Sequence, residues 1–402
     1  MIIVKLGLVI LTIFILLRKK VAIGNAILAS SFLLWAVSGF DFSALGNALL
    51  TTLRDPRCWI IVGALYFIMW LEYLFRTRGI MDSFLSTIQQ TIPNPKVVMM
   101  IISAFLGLLP SMGGAIFSAP MVKKLADPID MTPTDQSLTN FWSRHIVDYT
   151  NPMAPALLLA SATASVSVQE MLIHLIGYGF LAVAVGWLVC FRNVPTKILP
   201  EGKPRTLSQR RTLLLALGPI AAIFILILGF KQNAGIATFL VTSALTLFLW
   251  RGVGDFKRQV TESLNLKVFW TVAVILFFQN VLINTGMVSG LIDYFQQTGL
   301  SPAVGISILA FIMGALTGMT QGFVAIVFPF VAGVALGDVT LAVLVYVVGV
   351  SGQMMTPTHL CMTLTMDYFK ADWGVFYKKL IPMQLVIMFA GILVYWVKVA
   401  LM

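Results

Sequence analysis

The chain has 402 residues, 59% of them hydrophobic and only 11% charged, with a mean hydropathy of +0.93. A soluble domain carries about 25% charged residues, so the composition excludes one and points to an all-α membrane protein. In a soluble protein the net charge of +11 would suggest nucleic acid; here Lys and Arg fall in short loops between apolar runs, where they set orientation, and no nucleic-acid partner is expected.

In chain order, about ten spanning helices are predicted, at 2–17, 21–40, 58–75, 140–163, 169–191, 212–230, 233–250, 267–285, 339–365 and 380–402. The first run is followed, not preceded, by its charges (Arg18, Lys19, Lys20), which argues against a cleaved signal peptide. Two further apolar segments, 96–126 and 302–337, do not read as simple spans. In the first, a glycine-rich turn (SMGG) separates two arms. Each arm is about 13 residues, or ~20 Å at 1.5 Å per residue, too short for a ~30 Å hydrocarbon core. Lys96 precedes the segment and Lys123 and Lys124 end it, so it is expected to be a re-entrant hairpin entering from the cytoplasmic side. The second segment turns at TGMTQG, is flanked only by Asp293 and Asp338, and is expected to enter from outside. Amphipathic segments at about 77–93 and 284–300 should lie at the interface and link scaffold to hairpin.

The two hairpins belong to two copies of one unit. QQTIPNPKV (89–97) and QQTGLSPAV (296–304) stand 207 residues apart. At that offset ten positions between Gly79 and Met112 are identical to their mates, among them Gly79 and Gly286, Pro95 and Pro302, Gly107 and Gly314, and Met112 and Met319. With the N-terminus outside, the cytoplasmic segments hold 22 of the 27 Lys and Arg. Both termini are therefore placed outside a prokaryotic inner membrane. An odd number of spans separates the copies, so they should have inverted topology. The first copy is 1–191, with scaffold 1–95, hairpin 96–126 and broken helix 140–163. A cytoplasmic linker follows at 192–211. The second copy is 212–402, with scaffold 212–300, hairpin 302–337 and broken helix 339–365.

Four interruptions of apolar helix form two matched pairs. One pair is the hairpin turns, with Ser111, Gly113 and Gly114 in the first and Thr320, Gln321 and Gly322 in the second. The other lies in the spans that follow, DYTNPMAPA with Thr150 and Asn151, and SGQMMTPTH with Gln353, Thr356 and Thr358. Asn151-Pro152 and Thr356-Pro357 read as an N-cap followed by proline at the first helical position. Backbone freed inside hydrocarbon must find protein, water or ligand. Half-helix N-termini would favour an anion, while carbonyls and hydroxyls could hold a cation.

Arg144, His145 and Asp148 stand just before the first kink, and Arg144 and Asp148 are spaced to pair on one helix face. Asp148, whose mate is Gln353, is a candidate for proton or sodium coupling, and His359 could titrate near neutral pH. Cys58, Cys190 and Cys361 lie far apart without a CxxC pair, so neither a disulfide framework nor a metal site beyond Na⁺ is expected, and no cofactor. GVGD at 252–255 has the pattern of an intramembrane aspartyl protease but sits in a basic loop without a partner aspartate. With no HExxH and no Walker A motif either, no enzyme is expected.

Scaffold helices, a re-entrant hairpin and a kinked helix with Asn-Pro or Thr-Pro, given twice, resemble the ion transporter superfamily. The run NFWSRHIVDYTNPMAP is most similar to the gluconate-permease branch and a related family of uncharacterised prokaryotic membrane proteins. The hairpin tips lack the Ser-Asn-Thr of the dicarboxylate carriers. The resemblance implies symport of a small organic anion with H⁺ or Na⁺ by alternating access, in a homodimer with scaffold helices at its interface. A cation/proton exchanger on the same fold is the alternative, and a membrane enzyme a remote one.

Overall fold

The computed structural model describes residues 2–109, 114–192, 194–195 and 207–401, and among these it is helical, without a strand. Ten helices make up the first copy: α1 (Ile2–Arg18), α2 (Ile23–Val37), α3 (Phe42–Arg54), α4 (Pro56–Thr77), α5 (Ile80–Thr91), α6 (Pro95–Leu108), α7 (Gly114–Ala126), α8 (Pro133–His145), α9 (Pro155–Ala164) and α10 (Val168–Phe191). The second copy repeats the order: α11 (Leu207–Phe224), α12 (Ala234–Phe248), α13 (Val253–Glu262), α14 (Leu266–Asn284), α15 (Met287–Thr298), α16 (Pro302–Thr317), α17 (Thr320–Val334), α18 (Val339–Met354), α19 (Leu360–Phe369) and α20 (Trp373–Leu401). α5 and α15 begin 207 residues apart, each after a left-handed glycine, Gly79 at φ 65° and Gly286 at φ 68°. α15 and α16 meet at 116°.

The copies pack on each other reciprocally. α4 lies against α12 and α14 against α2; α5 meets α11 and α15 meets α1; α7 meets α19 and α17 meets α9. Such exchange is what a two-fold axis between the copies produces. With the spans where the sequence places them, each copy has an odd number: its first, second and fourth helices, its broken span and its tenth helix. The two copies therefore run in opposite directions, an inverted topology.

Five helices are long and apolar enough to cross on their own: α4, α10, α14, α20 and the continuation of α11 to Gly229. α2 and α12 have 15 residues each, about 22 Å of helix, and are short for the core. The expected spans 140–163 and 339–365 are each two helices, and the first begins earlier, at Pro133, where Thr132 caps it. Two helices escaped the hydropathy reading. α3 is bracketed by Asp41, which caps it, and Asp55, which caps α4. α13 is charged on one side, and its aspartate in the GVGD run pairs with Arg78 at the end of α4. Trp70 Nε1 donates to Gln259 Oε1 at 3.0 Å on the same seam. In the other copy Asn280 Nδ2 donates to Thr52 Oγ1 of α3 at 2.8 Å. The aspartate of GVGD is thus a structural anchor.

Both hairpins form, as α6 with α7 and α16 with α17. The first tip, with Ser111 and Gly113, lies outside the described residues, as does most of the expected linker 192–211. The first arm of each hairpin packs on the broken helix of its own copy at a repeated glycine. A Cβ on Gly107 would stand 2.1 Å from the carbonyl oxygen of Arg144, and one on Gly314 2.2 Å from that of Gly349. Only glycine allows this approach, and it fixes the hairpins against the breaks. Large side chains such as Phe180 (70% exposed) and Leu188 (66%) face outward, where lipid or a partner would cover them.

Two tests follow from this packing. Gly107→Val and Gly314→Val should each destabilise the purified protein by about 2–4 kcal/mol, read as a lower thermal midpoint. Gly63→Ala in α4, with open space at its Cβ, should leave the midpoint unchanged or slightly raised. The Arg78 hydrogen bond holds the Asp255 carboxyl below its ordinary 3.8. Its stabilisation is present above that value and is lost as pH falls through the lowered one. Asp255→Asn should flatten that acid limb of the stability profile.

Candidate functional site

The first broken helix unwinds through a 3₁₀ turn at Ile146–Tyr149 and restarts at Pro155 with Ala154 as its N-cap. The second stops at Met354 and restarts at Leu360 with His359 as its N-cap. The expected caps at Asn151 and Thr356 are therefore corrected. Asn151 Oδ1 accepts from Met153 N–H at 3.0 Å, and Thr356 Oγ1 from Thr358 N–H at 3.3 Å. Each caps a local turn, and the helix restarts only after it.

These turn residues also serve the hairpins. Asn151 Nδ2 donates to the carbonyl of Leu108 at 3.0 Å, where α6 ends. Exactly 207 residues on, Thr358 Oγ1 donates to the carbonyl of Ala315, near the end of α16, at 3.2 Å. Each break thus satisfies a carbonyl that its hairpin frees. The second tip turns at Gly318 (φ 61°), whose Cβ position lies 2.7 Å from the carbonyl carbon of Thr358. Conformation and space both demand glycine there. Thr320 Oγ1 donates to Gln353 Oε1 at 2.5 Å, joining the tip to α18.

Between tip and breaks lies a cavity of about 300 Å³. It brings together Arg144, His145, Asp148, Asn151, Thr320, Gln321, Gln353 and His359 from the sequence-derived set. Other expected residues are not on its wall. Thr150 packs against Gly179 of α10, so closely that a Cβ there would lie 2.4 Å from its methyl. Thr356 is buried and bonded to Thr358, which is exposed. Gly322 sits against Thr317. Tyr346 and Cys361 line the cavity and were not foreseen; they are distant in sequence from the first break, and only the fold unites them.

Three helices begin at this cavity, α9, α17 and α19, and their N-caps Ala154, Met319 and His359 supply no side-chain cap. Elsewhere Asp41, Asp55, Asn94, Thr132, Ser167, Asn233, Asn265 and Asp338 cap their helices with a side chain, whereas Ala22, Gly79, Gly252, Gly286 and Ser301 do not. The positive ends of three helices therefore face one space beside a guanidinium. Arg144 and Asp148 do not pair with each other within 4.0 Å. The 3₁₀ turn tightens the winding between them, so the fourth residue no longer returns to the same face. Asp148 Oδ2 is buried and accepts no hydrogen bond among the described residues. From the other copy, Tyr346 donates its hydroxyl to the Asp148 carbonyl at 3.1 Å, and Gln384 donates to Tyr149 Oη at 3.0 Å.

Asn151→Ala should cost about 1–3 kcal/mol by orphaning the partly buried Leu108 carbonyl. Thr358→Val, at an exposed site, should cost less, with both read from thermal unfolding.

The fold is similar to that of the Alcanivorax borkumensis YdaH transporter, whose crystal structure is described as having an unusual topology. The TM-score is 0.61 at 12% identity, covering 90% of this chain and 88% of that one. A comparison with curated proteins finds no match. The apolar helices make this a multi-pass membrane protein, and its fold is that of a transporter. Residues 3–398 match the profile of the family described as protein of unknown function (DUF401), and the chain belongs to that family.

Proposed function

We propose that this protein is a secondary active transporter of a small organic anion, a carboxylate or hydroxy acid, coupled to H⁺ or Na⁺ and working by alternating access. The observation that carries the reading is the meeting of three uncapped helix N-termini and Arg144 at one cavity between the inverted copies. The N-cap side chains there offer no acceptor to the first-turn N–H groups, and an anion would supply one. A carboxylate fits the planar, forked guanidinium, and hydroxyls fit Thr320, Gln321, Gln353 and Asn151. The YdaH likeness supports a transporter on this fold, and the resemblance of the first broken span to gluconate permeases supports the anion.

In this reading the hairpins and broken helices carry the substrate past a scaffold formed by α1–α5 and α11–α15. A homodimer joined through scaffold helices, in a prokaryotic inner membrane with both termini outside, completes the proposal. A second reading, a cation/proton exchanger, is favoured by the buried Asp148 Oδ2.

Thermal unfolding of the purified protein against carboxylates, hydroxy acids and amino acids, with and without sodium, separates the two. A ligand bound only by the folded form stabilises it by about 2.7 kcal/mol at a hundredfold excess over Kd. At least one carboxylate or hydroxy acid should raise the midpoint, and Arg144→Gln should abolish that rise. A panel that responds to sodium or pH alone would instead favour the exchanger.

A further inference from the structure

His145 ends α8 in the first copy, and His359 stands at the N-cap position of α19 in the second. His145 Nδ1 lies 2.7 Å from the carbonyl of Phe141, and His359 Nδ1 2.7 Å from that of Gly318 in the hairpin tip. The two Nε2 atoms are 3.0 Å apart. A carbonyl only accepts, so each Nδ1 contact needs its proton on that nitrogen. Two neutral rings protonated there would set two Nε2 lone pairs against each other. Moving one proton to Nε2 mends that contact and places a bare Nδ1 against a carbonyl oxygen. No neutral arrangement satisfies all three contacts, whereas three protons on the four nitrogens satisfy every one.

We infer that His145 and His359 hold one extra proton between them, and that this shared proton ties the broken helix of the first copy to the hairpin tip and broken helix of the second. Both rings are buried, at 7% and 6% exposure, and both line the cavity. The charged and titratable groups facing the pair are Arg144 and Asp148 from the first break, Cys361 from α19 and Tyr346 from α18, while α17 brings only Met319, Thr320 and Gln321. The pairs Lys379–Asp135 and Lys123–Asp127, on α20 and α7, stand toward the other end of α8.

A metal ion fits less well. Two tetrahedral ligands at about 2.0–2.1 Å would stand about 3.3 Å apart. The nearest third ligand, Cys361, leaves the donor atoms spread over 4.8 Å, and a divalent ion would bring two more positive charges beside Arg144.

The second step of the inference rests on the transport reading and names its coupling ion. With Asp148 ionised, the cavity carries one net positive charge when the pair is protonated. An anion brings it to neutrality, so anion and proton each favour the other's binding. Loss of the proton sets the two lone pairs face to face and loosens the tie between the copies.

The chain has three histidines, so ¹⁵N-histidine labelling of full-length His174→Asn protein in lipid leaves only this pair. Near neutral pH the spectrum should show three protonated ring nitrogens and one bare, with a coupling across the N–H···N bond that His145→Asn or His359→Asn removes. Two protonated and two bare nitrogens would overturn the inference. So would resonances that move with added zinc and return with a chelator. Thermal shifts by gluconate, citrate and related acids, taken at about pH 6 and about pH 8, then test coupling. They should be larger at the lower pH, and that dependence should vanish in either histidine variant. Shifts indifferent to pH would overturn the coupling role. If no acid shifts the midpoint while the three-to-one pattern stands, the transport reading fails and the proton site survives.

Discussion

Backbone freed inside a membrane has no water to turn to, and this constraint organises the whole molecule. Each copy interrupts its helices twice, at a hairpin tip and at a kink. Every interruption leaves carbonyls and amides that something must satisfy. Asn151 and Thr358 answer for carbonyls of their hairpins, and His359 answers for Gly318. Among the helix N-termini that no side chain caps, those of α9, α17 and α19 gather at one cavity. A site of that kind attracts an anion for the same reason that it is costly to leave empty.

The two-fold relation explains why the costs are bearable. Gly107 and Gly314 bring each hairpin against its broken helix at equivalent points, so one solution is used twice. The exceptions to symmetry are chemical. Asp148 and Arg144 stand in the first break, whereas Gln353 and Gly349 take the corresponding places in the second. The histidine pair draws one ring from each copy and so lies across the pseudo-axis. A symmetric scaffold that carries an asymmetric charge can hold one substrate and one ion in a defined relation.

Much of this was legible in the sequence because the signals are local. The repeat, the hairpins and the four interruptions all come from glycine, proline and polar residues set against apolar runs. The points where helices restart were misplaced by several residues, because Asn151 and Thr356 look the same whether they cap a helix or a turn. α13 was missed because an amphipathic helix held by Arg78 and Trp70 has no hydropathy signature. Thr150 seemed part of the site and faces Gly179 instead, since a 3₁₀ turn changes which side of the chain each residue presents. The contact of His145 with His359 spans 214 residues, and no spacing rule reaches that far.

The central claim is that an organic anion is bound and moved together with charge at the meeting point of the two copies. Electrical recording from proteoliposomes adsorbed on a solid-supported membrane, pulsed in turn with gluconate, citrate and other small carboxylates, tests it most directly. The account predicts a current with at least one of them that Arg144→Gln removes. Silence from a correctly folded wild-type protein across the whole series, with currents only on sodium or proton jumps, would contradict it.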